Sequence, residues 1–116
     1  MKLAIPLDEN QKDICPSFAR APFMLFYENE TLTVADNPAA DAPGGAGTVA
    51  SQFLLDSGVD TLITPRLGEN AAQVLQAAEV KIYKSQGNDA KENIRACLDG
   101  KLQPLTQFHA GYHGIR

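Results

Sequence analysis

Between Pro43 and Tyr83 the chain alternates helix and strand patterns at a spacing that admits few folds. Gly44, Gly45 and Gly47 form a glycine-rich mouth ahead of a run carrying Val49, Ala50, Phe53 and Leu54 on one side, and Gly58 supplies a stop just past it. Val59 to Thr64 is a short, apolar, β-branched run of the kind buried on both faces. Pro65-Arg66-Leu67-Gly68 turns the chain, and Ala71, Val74, Leu75 and Ala78 then recur at helical spacing. Val80 to Tyr83 returns as a strand. Two short strands joined by a helix form a right-handed parallel crossover. The glycine-bearing loops before Thr48 and before Glu69 therefore open on one edge of the sheet, where open α/β sheets bind ligands.

The rest of the chain fits around this unit. Lys2–Leu7 reads as a central strand, and Asp8–Arg20 as a polar extended loop broken by Pro16. A loop of that length in so small a domain points to function. Pro22–Glu28 is a nearly continuous apolar strand that turns at Asn29-Glu30 into Thr31–Ala35, an alternating strand suited to the sheet edge. Asp36–Pro43 is a second polar loop. Asp89–Leu98 reads as a third helix with Ala90, Ile94, Cys97 and Leu98 on one face, a capping-box start at Asp89 and Glu92, and a stop at Asp99-Gly100. From Lys101 onward periodicity ends, so the expected organisation is one α/β domain over residues 1–100 and a flexible tail over 101–116.

Composition narrows the function classes. The 116 residues support one domain with a modest core. A formal net charge of −4, with no two of the ten basic residues adjacent, argues against a nucleic-acid partner. No apolar stretch approaches membrane-spanning length and Met1-Lys2 leads straight into a strand, so no membrane partner is expected and a cytoplasmic address follows by default. Two widely separated cysteines do not make a disulfide framework.

Several dispersed blocks carry a family resemblance. The opening LAIPLDEN, the segment SFARAPF, and the series NP, GGAG, LLDSGVDTLIT and LGENAAQVLQAAEVKIYKSQG are similar to the dinitrogenase iron–molybdenum cofactor biosynthesis family. That family includes nitrogenase cofactor carriers and the small molybdenum–copper orange protein of sulfate reducers. The resemblance covers about the first hundred residues, the span of a single domain. It implies a ribonuclease-H-like fold: a five-stranded mixed sheet, its second strand antiparallel, flanked by about three helices. It also implies a small carrier, not an enzyme, for an anionic molybdenum-containing metal–sulfur cluster with copper or iron, acting with cluster-donor or acceptor proteins. Many nitrogenase-associated members place a histidine ligand directly before a Phe-Gly-Arg segment. Here Ser17 precedes Phe18-Ala19-Arg20, which favours a cluster that is less directly ligated.

Candidate site residues follow from this and from chemistry. The mouth at Gly44, Gly45 and Gly47 could offer backbone N–H groups at a helix N-terminus to an anion, or serve only close packing. Arg20 and Arg66, near the same edge as Ser17, Phe18 and Gly68, suit multidentate anion contacts, though either could be a solvated surface arginine. Cys15, with Lys12 and Arg20 nearby in sequence to lower its pKa, could be a soft metal ligand, or a small half-buried residue. Cys97 belongs to a helix's apolar face. His109 and His113 have metal-binding spacing, but Gly111 and Gly114 argue against a helix there, and a disordered end is the competing reading.

Three other classes compete with the carrier reading. Gly45–Ala50 matches the G-x-G-x-x-A form of a dinucleotide fingerprint, yet no strand leads directly into it and no acidic residue ends the next strand. A two-metal nuclease needs clustered carboxylates on the sheet, and the first strand offers none. An adaptor that pairs the Thr31–Ala35 edge with a partner protein needs no metal and is the main alternative.

Overall fold

The structure is a computed structural model and describes residues 1–110 of the chain. Five strands and three helices follow in the order β1 (Lys2–Leu7), β2 (Phe23–Glu28), β3 (Thr31–Asp36), α1 (Ala46–Asp56), β4 (Thr61–Thr64), α2 (Glu69–Ala77), β5 (Lys81–Lys84) and α3 (Ala90–Leu98). They make one five-stranded mixed sheet of order β3-β2-β1-β4-β5. β2 runs antiparallel to both β1 and β3, while β4 is parallel to β1 and to β5. No described helix is long and apolar enough to cross a membrane.

The two-residue period of β1 divides the core. Ala4 faces a cluster with Met24, Phe26, Leu62 and Ile82, covered by Ala50 and Leu54 of α1 and by Ala71 and Leu75 of α2. Leu3, Ile5 and Leu7 face the other side with Leu25 and Ile63, covered by Ala90 and Ile94 of α3. A one-residue slip of β1 would exchange the two sets, so its register is strongly specified. Asn29 and Glu30, both at positive φ (52° and 63°), make the tight turn between β2 and β3.

Helix faces depart from the expected stripes at two places. Val49 is exposed and Ser51 is buried instead, its hydroxyl donating to the Gly47 carbonyl at 2.8 Å. Leu98 is half exposed, and Asn93 takes the inward position, donating to the carbonyls of Gln86 and Asp89 at 2.8 and 2.9 Å and accepting from the Gln86 N–H at 2.7 Å. Asn93 puts a hydrogen-bonding side chain where the Gln86 backbone needs a partner, and Ser51 satisfies its own buried hydroxyl on the preceding turn of α1.

All three helices end the same way. In α1 the N–H groups of Gly58 and Val59 return to the carbonyls of Leu55 and Leu54, which is a Schellman closure. β4 therefore begins at Thr61, two residues after the expected start, because Val59 completes the cap. In α3 Gly100 and Lys101 return to Cys97 and Ala96, and in α2 Glu79 and Val80 return to Gln76 and Leu75. The left-handed position is a glycine in α1 and α3 (φ +81° and +73°) but Glu79 (φ +63°) in α2.

Residues 101–110, expected as the start of the tail, run beside the outer edge of β5. Lys84 donates to the Gln103 carbonyl at 2.8 Å and Leu105 to the Ile82 carbonyl at 2.9 Å, while Leu102 is buried in the α3-side cluster.

A side chain other than glycine in the left-handed region costs about 1–2 kcal/mol, partly offset by glycine's own entropy loss of about 0.5–1 kcal/mol. Exposed Glu79 should thus be improvable: Glu79→Gly is expected to stabilise the fold by about 0.5–1 kcal/mol in urea unfolding. An unchanged or lower midpoint would mean that Glu79 contributes a compensating interaction.

Candidate functional site

Three loops meet at the carboxyl ends of the parallel strands. Leu7 pairs with Phe23 and Phe23 with Asp36, so the loop after β1, residues 8–22, and the loop after β3, residues 37–45, open on one edge. The turn Pro65–Gly68 after β4 opens there too, since β4 is parallel to β1. Between them lies a cleft of about 690 Å³.

The cleft is lined by backbone donors and cations. Ser17, Phe18 and Arg20 come from the first loop, Gly44, Gly45 and Gly47 from the mouth of α1, Arg66 and Gly68 from the turn, and His109 from the C-terminal segment. Among the described lining residues there is no Asp or Glu. The helix N-termini explain the polarity. α1 starts at Gly45 (φ +66°) and α2 at Gly68, and neither has a side-chain cap. α3, on the far side of the sheet, is capped by Asp89, whose carboxylate accepts from the Glu92 N–H at 2.9 Å. First-turn N–H groups left without an intrahelical partner suit an anion, and the helix dipole adds to the attraction.

Gly47 lies inside α1, which starts at Ala46, two residues before the expected start near Thr48, and this brings the helices together. A methyl group at Gly47 would sit 3.6 Å from the Ala71 Cβ. The turn after β4 is pinned by the buried Thr64 hydroxyl, which donates to the Arg66 carbonyl at 3.0 Å, while the Arg66 side chain is exposed.

The C-terminal segment closes the end wall. His109 donates its N–H to the Leu67 carbonyl at 3.1 Å and accepts from the Glu69 N–H at 2.9 Å. Its ring lies so close to Gly68 that a Cβ there would be 3.1 Å from His109 Cε1. A side chain at Gly68 would push the imidazole back by a few tenths of an ångström. His113, the other histidine of the tail, lies outside the described residues.

Cys15 is near the cleft but not among its lining residues. It is buried, its N–H donating to the Pro6 carbonyl at 2.9 Å. The expected lowering of its pKa by Lys12 and Arg20 is reversed. Burial pushes the thiol up and the Asp8 carboxylate adds to this, with the backbone of Ser17 opposing. Arg20 does not approach the thiol as a counter-ion; its guanidinium donates to the carbonyls of Ala40 and Ala42 at 3.1 and 2.7 Å. Cys97 is partly buried against the α3-side cluster, and burial raises its thiol as well. Among the described residues no group of three or more His, Cys, Asp and Glu side chains could hold a metal ion.

Sequence reasoning missed Thr48 and Asn70, which also line the cleft. Both stand in the first turn of a helix, directly after the glycine-bearing loops that the sequence marks.

The comparisons agree with this layout. A family model described as dinitrogenase iron-molybdenum cofactor matches residues 1–100. The apo form of the orange protein from Desulfovibrio gigas superposes with a TM-score of 0.82 at 27% identity, over 90% of this chain and 92% of that one. A NifB-like protein of Thermotoga is 36% identical with a TM-score of 0.75, over 92% and 95% of the two chains. An uncharacterized Methanocaldococcus jannaschii protein is 28% identical, over 89% of this chain and 90% of its own.

With both pKa values raised, less thiolate forms at a given pH, so alkylation is slowed. At pH 8, iodoacetamide should modify Cys15 and Cys97 more slowly in the folded protein than in urea. The folded rate should keep rising above the ordinary cysteine range near about pH 8.5. Mass-spectrometric rates that are faster in the folded state would restore a cation-activated Cys15.

Proposed function

The chain belongs to the dinitrogenase iron-molybdenum cofactor family, and from that premise we propose that it carries an anionic molybdenum-containing metal–sulfur cluster, with copper or iron as the second metal, for assembly, storage or delivery. One observation carries the reading: in a chain of net charge −4, the cleft gathers two helix N-termini without a side-chain cap, Arg20, Arg66 and His109 and no carboxylate among its described lining residues. The donor set suits a polyanion whose metals are already ligated by sulfide. Backbone N–H groups and guanidinium N–H groups hydrogen-bond to peripheral sulfide or oxygen, and the absence of carboxylates avoids like-charge repulsion. No described three-residue metal-ligand set is needed for this mode of holding.

His109 is the soft nitrogen donor of the cleft in this reading. Cys15 is the secondary candidate, since its thiol must first be uncovered, and His113 adds a further donor from the tail. The reading does not assign an enzymatic step: the cleft serves retention, and cluster-donor or acceptor proteins are its partners. A cytoplasmic location and the ribonuclease-H-like kinship of the sheet order complete it.

A second reading rests on β3. Among the described residues it pairs only with β2, and Leu32 and Val34 are 40% and 43% exposed, so its outer edge could receive a partner strand without any metal.

Metal and acid-labile sulfide analysis of protein purified without oxygen separates the two. After incubation of the metal-free protein with tetrathiomolybdate, with and without copper(I), stoichiometric molybdenum and visible charge-transfer bands are expected. Arg66→Ala should weaken retention by about tenfold or more, as expected when a charge-assisted hydrogen bond worth about 1.5–3 kcal/mol is removed. A protein that stays colourless and metal-free overturns the carrier reading and leaves the adaptor.

A further inference from the structure

Asn37 stands behind the cleft and does not line it. Its side chain is 5% exposed, and every hydrogen-bonding group it has is in use. The amide nitrogen donates to the carbonyls of Ala19 and Ala21 at 3.0 and 2.9 Å, and the amide oxygen accepts from the Ala39 N–H at 3.0 Å. Its main chain joins in: the Asn37 N–H donates to the Pro22 carbonyl, and its carbonyl accepts from the Ala40 N–H, both at 3.1 Å. One residue thus clamps the first loop to the second.

The residue between the two clamped carbonyls is Arg20. It reaches back across the same gap, donating to the carbonyls of Ala40 and Ala42 at 3.1 and 2.7 Å. Both bonds leave from the same terminal nitrogen, Nη1. The Nε–H and the second terminal nitrogen take part in neither, and together they form the forked edge with which a guanidinium grips an anion. Arg20 lines the cleft. Asn37 fixes the backbone on both sides of Arg20, and Arg20 fixes the loop that follows Asn37, so the two form a closed ring of hydrogen bonds.

We infer that Asn37 is the positioning residue of the cleft: it aims the Arg20 guanidinium so that one nitrogen is anchored on backbone and the forked edge is held ready for the anion. A guanidinium ordered before the ligand arrives loses less side-chain entropy on binding. Arg66, exposed like Arg20 but without such backbone anchors among the described residues, is the internal comparison. Lysine cannot replace Arg20, because a single ammonium cannot keep the anchor and present a fork.

The inference rests on the carrier reading for its affinity arm alone; its first arm needs no ligand. In ¹⁵N NMR relaxation of the metal-free protein, the Arg20 Nε–H, identified by its loss in Arg20→Lys, should show an order parameter of about 0.8, against less than about 0.6 for that of Arg66, because the Arg20 guanidinium is anchored through Nη1. In Asn37→Ser, whose hydroxyl cannot bridge both carbonyls, that difference should disappear. The second arm measures uptake of tetrathiomolybdate with copper(I) by equilibrium dialysis. Asn37→Ser and Arg20→Lys should each weaken binding about tenfold, and the double variant should be no worse than Arg20→Lys, because Asn37 acts through Arg20. Losses that multiply to about a hundredfold in the double variant overturn the inference, since Asn37 would then be a stabilising residue with no special tie to Arg20. So does an Arg20 Nε–H as disordered as that of Arg66 in the unaltered protein, a result that decides the matter even if Asn37→Ser fails to fold. A protein that takes up no cluster in any form overturns the carrier reading, and the NMR arm then decides the positioning role by itself.

Discussion

The contact between the first turns of α1 and α2 governs the rest of the site. Gly47 is the second residue of α1 and Ala71 the third of α2, and a methyl at Gly47 would rest 3.6 Å from the Ala71 Cβ. A larger side chain would force the helices apart. This packing sets two positive helix ends side by side, each equivalent to about half an elementary charge. Natural helices usually relieve such an end with Ser, Thr, Asp or Asn at the N-cap. Here both caps are glycine, and Glu69 is the sole acidic residue in either first turn. Burial of Ala46, Ala50, Leu54, Ala71 and Leu75 offsets that repulsion, and an anion in the cleft would remove it.

Most of the architecture could be read from local patterns because local physics decides it. The strand–helix alternation, the glycine stops at Gly58 and Gly100 and the Asp89 cap all act within one turn of chain, and each stands where the pattern placed it. Departures come from tertiary demands. Asn93 takes an inward position in place of Leu98 because the Gln86 backbone requires a partner there, and Ser51 is buried in place of Val49 with its hydroxyl satisfied by its own helix, both invisible to a count of apolar spacing. Glu79 in the left-handed position closes α2 without the glycine that usually announces such a stop.

The site was legible in part for the same reason. Gly45, Gly68 and Arg66 sit on loops whose common edge follows from right-handed crossovers, so topology alone brings them together. Arg20 and Ser17 could be placed near that edge from the family segment. Their hydrogen-bond partners could not, because the pairing of residues 19–21 with residues 37–42 depends on how two irregular loops meet. His109 is the extreme case. No periodicity marks residues 101–110, yet a backbone bridge to Leu67 and Glu69 seats the ring against Gly68. Cys15 shows the opposite error: neighbours in sequence suggested an activated thiol, and burial beside Pro6 and Asp8 makes it a suppressed one.

The chain's acidity and its proposed cargo are compatible because the two charges act at different ranges. At physiological ionic strength the Debye length is about 8 Å, so surface carboxylates away from the cleft act weakly on a bound anion. N–H groups and guanidinium groups in direct contact lie inside that distance and in a partly desolvated space, where each hydrogen bond to a charged group counts for more. A cleft built this way has little long-range pull and a strong short-range grip. Such a site admits an anion slowly from dilute solution and retains it once seated, which is the balance a carrier needs, whereas a basic surface would also collect nucleic acid and other polyanions. Withholding carboxylates from one small cleft achieves this without making the molecule cationic, and it requires that the few cations present be held in place.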